Sequence, residues 1–285
     1  MELRMFIEEI KVKSLSQYLE EILRINNKTG SLSGAVYRGQ SDSRWGVSSG
    51  LSRYSSGSRN PNALAMAKQA FQIFDAERHG YHHLNSNNAW DVLTLAQHFG
   101  LPTRLLDWSL SPTVALFFAL DGVKYRRVKI MDLSELERSE FSQEIPIDGE
   151  YAGLADSDAV VYMIPATHNS ESAAWLRASD LPKDVFAEVP DANEMGFCFF
   201  NPDVTNDRIK CQSGVFTVGV SSVDGFPSER AYKLIIKRSA IAEMRSNLVA
   251  LNIGAKSVYG DLEGLCRELL FTKYGGFANR YSRGL

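Results

Sequence analysis

The sequence predicts an α+β fold, a helical N-terminal half packed on a mostly antiparallel sheet drawn from the second half. Three observations predict it. Helix-spaced apolar patterns dominate up to about residue 120, β-type runs dominate over about 158–238, and two helical patterns close the chain over 239–274. Helices gathered ahead of strands, instead of alternating with them, mark an α+β layout and not a parallel β-α-β sheet.

Taken in order, Leu15, Tyr18, Leu19, Ile22 and Leu23 recur on one helical face behind Ser14, a good N-cap. They predict a helix over 14–25, stopping before Asn26-Asn27-Lys28-Thr29-Gly30. Ala35-Val36-Tyr37, short, apolar and set between Gly34 and Gly39, reads as a strand that delivers Arg38 at its end. Residues 40–61, rich in Ser, Gly, Arg and Asn, read as surface loop. Helices follow over 62–77 and 89–98, the second terminated by Gly100 and Pro102. Ser111-Pro112 announces another, an N-cap with proline at the first helical position. Its continuation through Val114 to Leu120 is apolar on every face and therefore buried. Strands are expected over 159–164, 197–200, 214–220 and 232–236, then helices over 239–251 and 262–273 capped by Ser239 and Asp261. With no repeat, low-complexity tract or clear linker, the 285 residues read as a single domain.

Composition narrows the function classes. At 44% hydrophobic and 23% charged the chain is an ordinary globular protein. A net charge of -3 supplies no general attraction for nucleic acid, leaving only a local patch as a route to that partner. The densest basic run, Lys124 to Lys129, reads as a solvated helix end or edge strand. Cys198, Cys211 and Cys266 are odd in number and lack metal spacing, which fits free thiols in the cytoplasm, with Cys266 packed between Leu265 and Leu269. The opening Met1-Glu2-Leu3-Arg4 leads into no signal-peptide core, and no apolar run reaches the ~18 residues of a membrane span.

One constellation is specific. Tyr37-Arg38-Gly39-Gln40, then Trp45 and Leu51-Ser52-Arg53, then Leu95-Ala96-Gln97-His98-Phe99-Gly100-Leu101-Pro102-Thr103-Arg104-Leu105-Leu106-Asp107-Trp108, together resemble the FRG-domain family. That family is named for an aromatic-Arg-Gly motif and carries a similar Ala-Gln-His-x-Gly-Leu-Pro-Thr-Arg-Leu-Leu-Asp-Trp block before an apolar helix. The resemblance spans about 30–122, with weaker echoes at Gln212 to Phe216 and Tyr259 to Gly264. It implies a recurrent bacterial or phage module and a toxin or phage-defence setting, without a reaction. Where the family often has two adjacent histidines this chain has His98-Phe99, so the second position can only pack or stack.

Two chemistries follow. In the first, Arg38 resembles the strand-borne arginine of Arg-Ser-Glu ADP-ribosyltransferases, which implies an ADP-ribosyltransferase-like fold, NAD as substrate, and either transfer of ADP-ribose to a macromolecular acceptor or hydrolysis of NAD. The likeness makes Ser213 the residue shaping the nicotinamide pocket and Glu263 the acid stabilising oxocarbenium charge. Glu263 has a plainer explanation as a first-turn helix charge. In the second, Arg38, Arg53 and Arg104 gather round a phosphate of a nucleotide or nucleic acid without catalysis. Gly39 would let a ligand approach the backbone beside Gln40. His98, with Arg104 and Asp107, could serve proton and anion chemistry, and Trp108 and Trp45 could stack on a base. Each has a structural alternative: Arg38 paired with Asp42 or Asp107, Asp107 capping a helix, the tryptophans in the core. His79, His82 and His83 form no recognised metal motif, and no P-loop, G-x-G-x-x-G or G-x-S-x-G occurs, so no metal is expected.

Overall fold

The computed structural model describes residues 8–30, 35–57, 60–81, 86, 88–140, 150–165, 174–192, 195–203, 207–223, 226–227 and 231–274. In chain order the elements are β1 Glu9–Val12, α1 Leu15–Thr29, β2 Val36–Gln40, α2 Gly50–Gly57, α3 Ala63–Glu77, α4 Ala89–His98, β3 Leu106–Ser109 and α5 Pro112–Asp121. There follow β4 Tyr125–Lys129, α6 Glu135–Glu140, β5 Tyr151–Ala155, β6 Ala159–Ile164, β7 Trp175–Arg177, β8 Phe197–Asn201 and α7 Asp207–Cys211. The chain closes with β9 Gly214–Gly219, β10 Tyr232–Ile236, α8 Ile241–Ala250, α9 Ala255–Tyr259 and α10 Leu262–Lys273.

The fold is α+β. Its eight-stranded sheet runs β1-β10-β6-β2-β3-β9-β8-β7, antiparallel except at the two edge pairs β1/β10 and β7/β8. The sheet is not drawn from the second half alone. β2 and β3, which carry the aromatic-Arg-Gly motif and the Leu-Leu-Asp-Trp run, occupy its middle. They are joined to each other by a single register pair, Tyr37 opposite Ser109, whereas β2 follows β6 over five pairs and β3 follows β9 over four. The sheet is therefore nearly split at its centre.

Packing follows from this. Helices α1, α5, α8 and α9 cover one face of the β10-β6-β2 half, meeting Tyr37, Val161, Met163, Leu234 and Ile236. On the other half, α4 lays Trp90 and Leu93 against Phe200, Phe216 and Val218. The opposite face is closed by Val36, Trp108, Val160, Tyr162, Phe197 and Val215. Helix α5 is apolar all round, as expected, and buries Val114, Ala115, Leu116, Phe117, Ala119 and Leu120. The Ser111 side chain and Pro112 start it as read.

Several expectations need correction. α1 runs on to Thr29, because Ile25 is buried and the stop is Gly30 at φ 68. The stretch read as loop contains α2, whose start is held by the Ser49 hydroxyl on Ser52 N at 3.1 Å and whose Leu51 is buried. Ser239 caps nothing and lies inside a 3-10 turn ahead of α8. Asp261 does cap α10, through Gly264 N at 2.7 Å. Cys266 is exposed and the packed thiol is Cys198, which burial pushes up to about 12. The basic run forms, as read, a solvated strand: β4, paired among the described residues with β5, leaves Arg126, Arg127 and Lys129 exposed. Among the described residues no helix is long and apolar enough to cross a membrane.

Gly39 has a packing reason. A Cβ there would stand 1.9 Å from the Ala115 carbonyl oxygen and 2.6 Å from Ala119 N, so only glycine lets α5 lie this close to β2. A helix makes this close approach, and Gly39 also stands in the lining of the cleft described below. Gly39→Ala is expected to cost ~3 kcal/mol or more, since the clash is with backbone that no rotamer change relieves. The denaturant midpoint reads this, and an unchanged midpoint would contradict the packing described.

Candidate functional site

Where β2 and β3 separate, a cleft of about 600 Å³ opens, lined among others by Tyr37 to Ser41, Trp45, Arg53, Asp107 to Ser109, Phe118, Arg208 and Gln212. Two smaller cavities adjoin it. One of about 290 Å³ lies along Ser48, Gly50, Gln97 and Gly100 to Thr103, and one of about 100 Å³ along His98, Ile209 and Gly214 to Phe216. The main volume falls within the range of ~300–1,000 Å³ usual for small-molecule sites.

Arg38 stands at the split. Its Nη1 donates to the Asp107 main-chain oxygen at 2.5 Å, bridging strands whose ladder has stopped. Its Nε is buried and has no hydrogen-bond partner. Burial pulls the guanidinium below its usual pKa, Asp107 partly restores it, and Arg53 opposes it. Arginine keeps its proton through shifts of this kind, so the group is an enclosed cation that donates to a neutral carbonyl.

Asp107 presents its carboxylate to the cleft. Gln97 Nε2 donates to Asp107 Oδ1 at 2.5 Å, and the Thr103 hydroxyl donates to Gln97 Oε1. The Gln, Thr and Asp of the block therefore form one chain that orients the acid. The turn between them is made by Gly100 at φ 94 and by Leu101 N donating to the Ala96 oxygen at 3.0 Å. Asp107 caps no helix; it lies in β3.

The remaining expected residues divide. Arg53, on α2, reaches the cleft and donates to the Ser48 oxygen at 2.5 Å. Gln40 lines it with a buried Oε1 that lacks a partner. His98 reaches only the smallest cavity, its ring edge-on to Phe99 at 4.7 Å. Trp108 is buried, donating from Nε1 to Thr217 Oγ1 at 2.9 Å, whereas Trp45 is 53% exposed at the mouth. Arg44, bonded to Asp42, steadies the turn that carries Trp45 and holds the Asp42 carboxyl below its usual value.

Arg104 does not join Arg38. It is buried and donates to the oxygens of Val185, Ala187, Gly219 and Val220, at 3.0, 2.6, 2.8 and 3.2 Å. Ser213 is exposed at φ 47, its carbonyl accepting from Leu110 N, and lines none of the three cavities. Glu263 also lines none of them; it is 59% exposed and pairs with Arg267 at 2.7 Å, one turn along α10. The neighbouring Gly264 is fixed by packing, since a Cβ there would meet the Ala255 oxygen at 2.6 Å. The late motif is thus a cap, a surface ion pair and a close helix contact.

Arg208 and Gln212 escaped the sequence reading. Arg208, on α7, lies over the Tyr259 ring at 4.6 Å and lines the main cleft, and the buried Gln212 Nε2 there lacks a partner. The Gln212 to Phe216 echo was the available signal for the second; Arg208 lies in no motif. Among the described residues no cluster of three metal-ligating side chains occurs, and His82 and His83 lie outside them. A separate groove of about 690 Å³ between α3 and α4 is mainly apolar, lined by Ile73, Phe74, Leu95 and Phe99. Arg104→Met is expected to lose ~3 kcal/mol of stability, because the buried Val185 carbonyl and three part-buried ones lose a charged donor. Chemical denaturation checks this, and a variant as stable as the wild type would place Arg104 outside the scaffold.

Residues 33–127 match the model of the FRG domain. No curated protein and no solved structure gives a match. The matched stretch holds Arg38, Arg53 and Asp107 of the central cleft and Gln97 of the cavities beside it, so the chain carries an FRG domain that supplies much of the cleft's lining.

Proposed function

We propose that the cleft recognises a nucleotide-type ligand through its phosphate, with Arg38 as the anion anchor. The observation that carries this is the enclosed Arg38 guanidinium, whose hydrogen bond goes to a neutral carbonyl beside an open cavity. A cation so placed gains most from an anion that arrives with the ligand, since charge-assisted bonds are strongest where water is thin. Arg53 and Arg208 extend the positive wall against a single carboxylate, Asp107, among the described lining residues. Trp45 and the part-buried Phe118 offer ring surface for a base, and Gln40 and Gln212 line the same space.

Cleavage of NAD is the second reading, and a toxin or phage-defence role stays attached to it. With Glu263 and Ser213 outside the cleft, it runs through Asp107, the oriented carboxylate facing the cavity. A carboxylate so held stabilises oxocarbenium charge as the nicotinamide bond breaks.

Calorimetric titration with ADP, repeated at low and high salt, tests the first reading. Arg38→Ala is expected to weaken binding at least tenfold and Glu263→Gln to leave it unchanged. Equal binding by Arg38→Ala, or none by the wild type, would end it. For the second, nicotinamide release from NAD is expected to vanish in Asp107→Asn and persist in Glu263→Gln. If the wild type releases none with lysate supplied as acceptor, cleavage is discarded and recognition stands.

A further inference from the structure

The main cleft and the 290 Å³ cavity share three lining residues, Arg38, Arg53 and Asp107. Both shared cations thus sit at the waist between two spaces and not at the blind end of one. The two spaces also differ in chemistry. The larger holds the ring surfaces of Trp45 and Phe118 and the amides of Gln40 and Gln212. The smaller has no aromatic residue; its wall is Ser48, Gln97, Thr103, two glycines and short apolar side chains along Gly100 to Leu106.

We infer that the ligand carries its phosphate internally, as a linkage between a base-bearing nucleoside in the larger space and a sugar-bearing arm in the smaller one. This rests on Arg38 being the phosphate anchor. A ligand ending in phosphate fills one space and leaves the other to water. A ligand whose phosphate is bridged on both sides places its charge at the waist and uses both walls. The polar, ring-free character of the smaller wall suits hydroxyl groups, and its volume suits a single sugar better than a second nucleoside stacked on a ring. Asp107, at the same waist, accepts from a sugar hydroxyl while the arginines hold the phosphate oxygens. The chain's net charge of -3 supplies no long-range pull on a polymeric strand, so the ligand is a free small molecule of the nucleoside diphosphate–sugar class.

Calorimetry on the full chain with ADP, ADP-ribose, the phosphodiester ApA and a longer oligo-dA separates the possibilities. ADP-ribose is expected to bind at least tenfold more tightly than ADP. In Ser48→Phe, which fills the smaller space, the ratio of ADP-ribose to ADP affinity is expected to collapse, with the melting temperature confirming the fold. Equal affinity for ADP and ADP-ribose overturns the inference while leaving Arg38 as a phosphate anchor. An oligonucleotide that outbinds ADP-ribose and ApA overturns the small-molecule assignment. Absence of binding by every nucleotide, ADP included, ends both the inference and the reading beneath it. Should Ser48→Phe fail to fold, Leu101→Trp tests the same wall from its other side, and the ADP to ADP-ribose ratio of the wild type decides regardless.

Discussion

The bond from Arg38 to the Asp107 carbonyl sets the geometry of the cleft at the centre of the sheet, and the arrangement of the site depends on it. β2 and β3 meet at Tyr37 and Ser109 and then have no further ladder pair, so the carbonyl of the exposed Asp107 has no strand partner across the split. A guanidinium takes its place. One side chain thereby holds the two halves of the sheet near each other and keeps an opening between them. A plain strand pairing would have closed the cleft. The result is an enclosed cation held by a neutral group, and the proposed anion site rests on this arrangement.

The surrounding scaffold fixes that arrangement from both sides. Gly39 lets α5 press on β2 directly after the arginine, so the strand cannot shift without moving a helix buried on nearly every face. On the other side, Arg104 ties the turn before β3 to the segments at 185–187 and 219–220, and Trp108 ties β3 to β9 through Thr217. Thr103 and Gln97 then orient Asp107. The long motif thus divides its residues between building and presenting: Arg104, Leu105, Leu106 and Trp108 build, while Gln97 and Asp107 face the ligand space.

Local signals were legible in the sequence and long-range ones were not. Cap and proline chemistry located α5 and α10, and β-branched runs located β6 and β10, because each is set by neighbours in the chain. α2 was missed because its composition of Ser, Arg and Gly reads as loop, and its stability comes from Leu51 buried against distant segments. That β2 and β3 lie at the middle of the sheet depends on strands more than a hundred residues downstream in β6 and β9. The same limit applies to the site. Arg38, Arg53 and Asp107 stood out through their motifs, while Arg208 has no local mark. Glu263 and Ser213 were chosen by their order along the chain, and order does not carry geometry: Glu263 pairs with Arg267 and Ser213 sits in an exposed turn.

The central claim is that Arg38 serves an anion more than it serves the fold. The most direct measurement is the unfolding free energy of Arg38→Met with no ligand present, compared with wild type in the same buffer. Removing an enclosed cation that lacks a contacting carboxylate relieves a desolvation cost, which offsets the lost bond to the Asp107 carbonyl. The expected change is within ~1.5 kcal/mol, together with loss of the stabilisation that added nucleotide gives the wild type. A loss of ~3–5 kcal/mol without ligand, the cost of breaking a buried ion pair, would show that Arg38 is a structural clamp and that the anion site lies elsewhere.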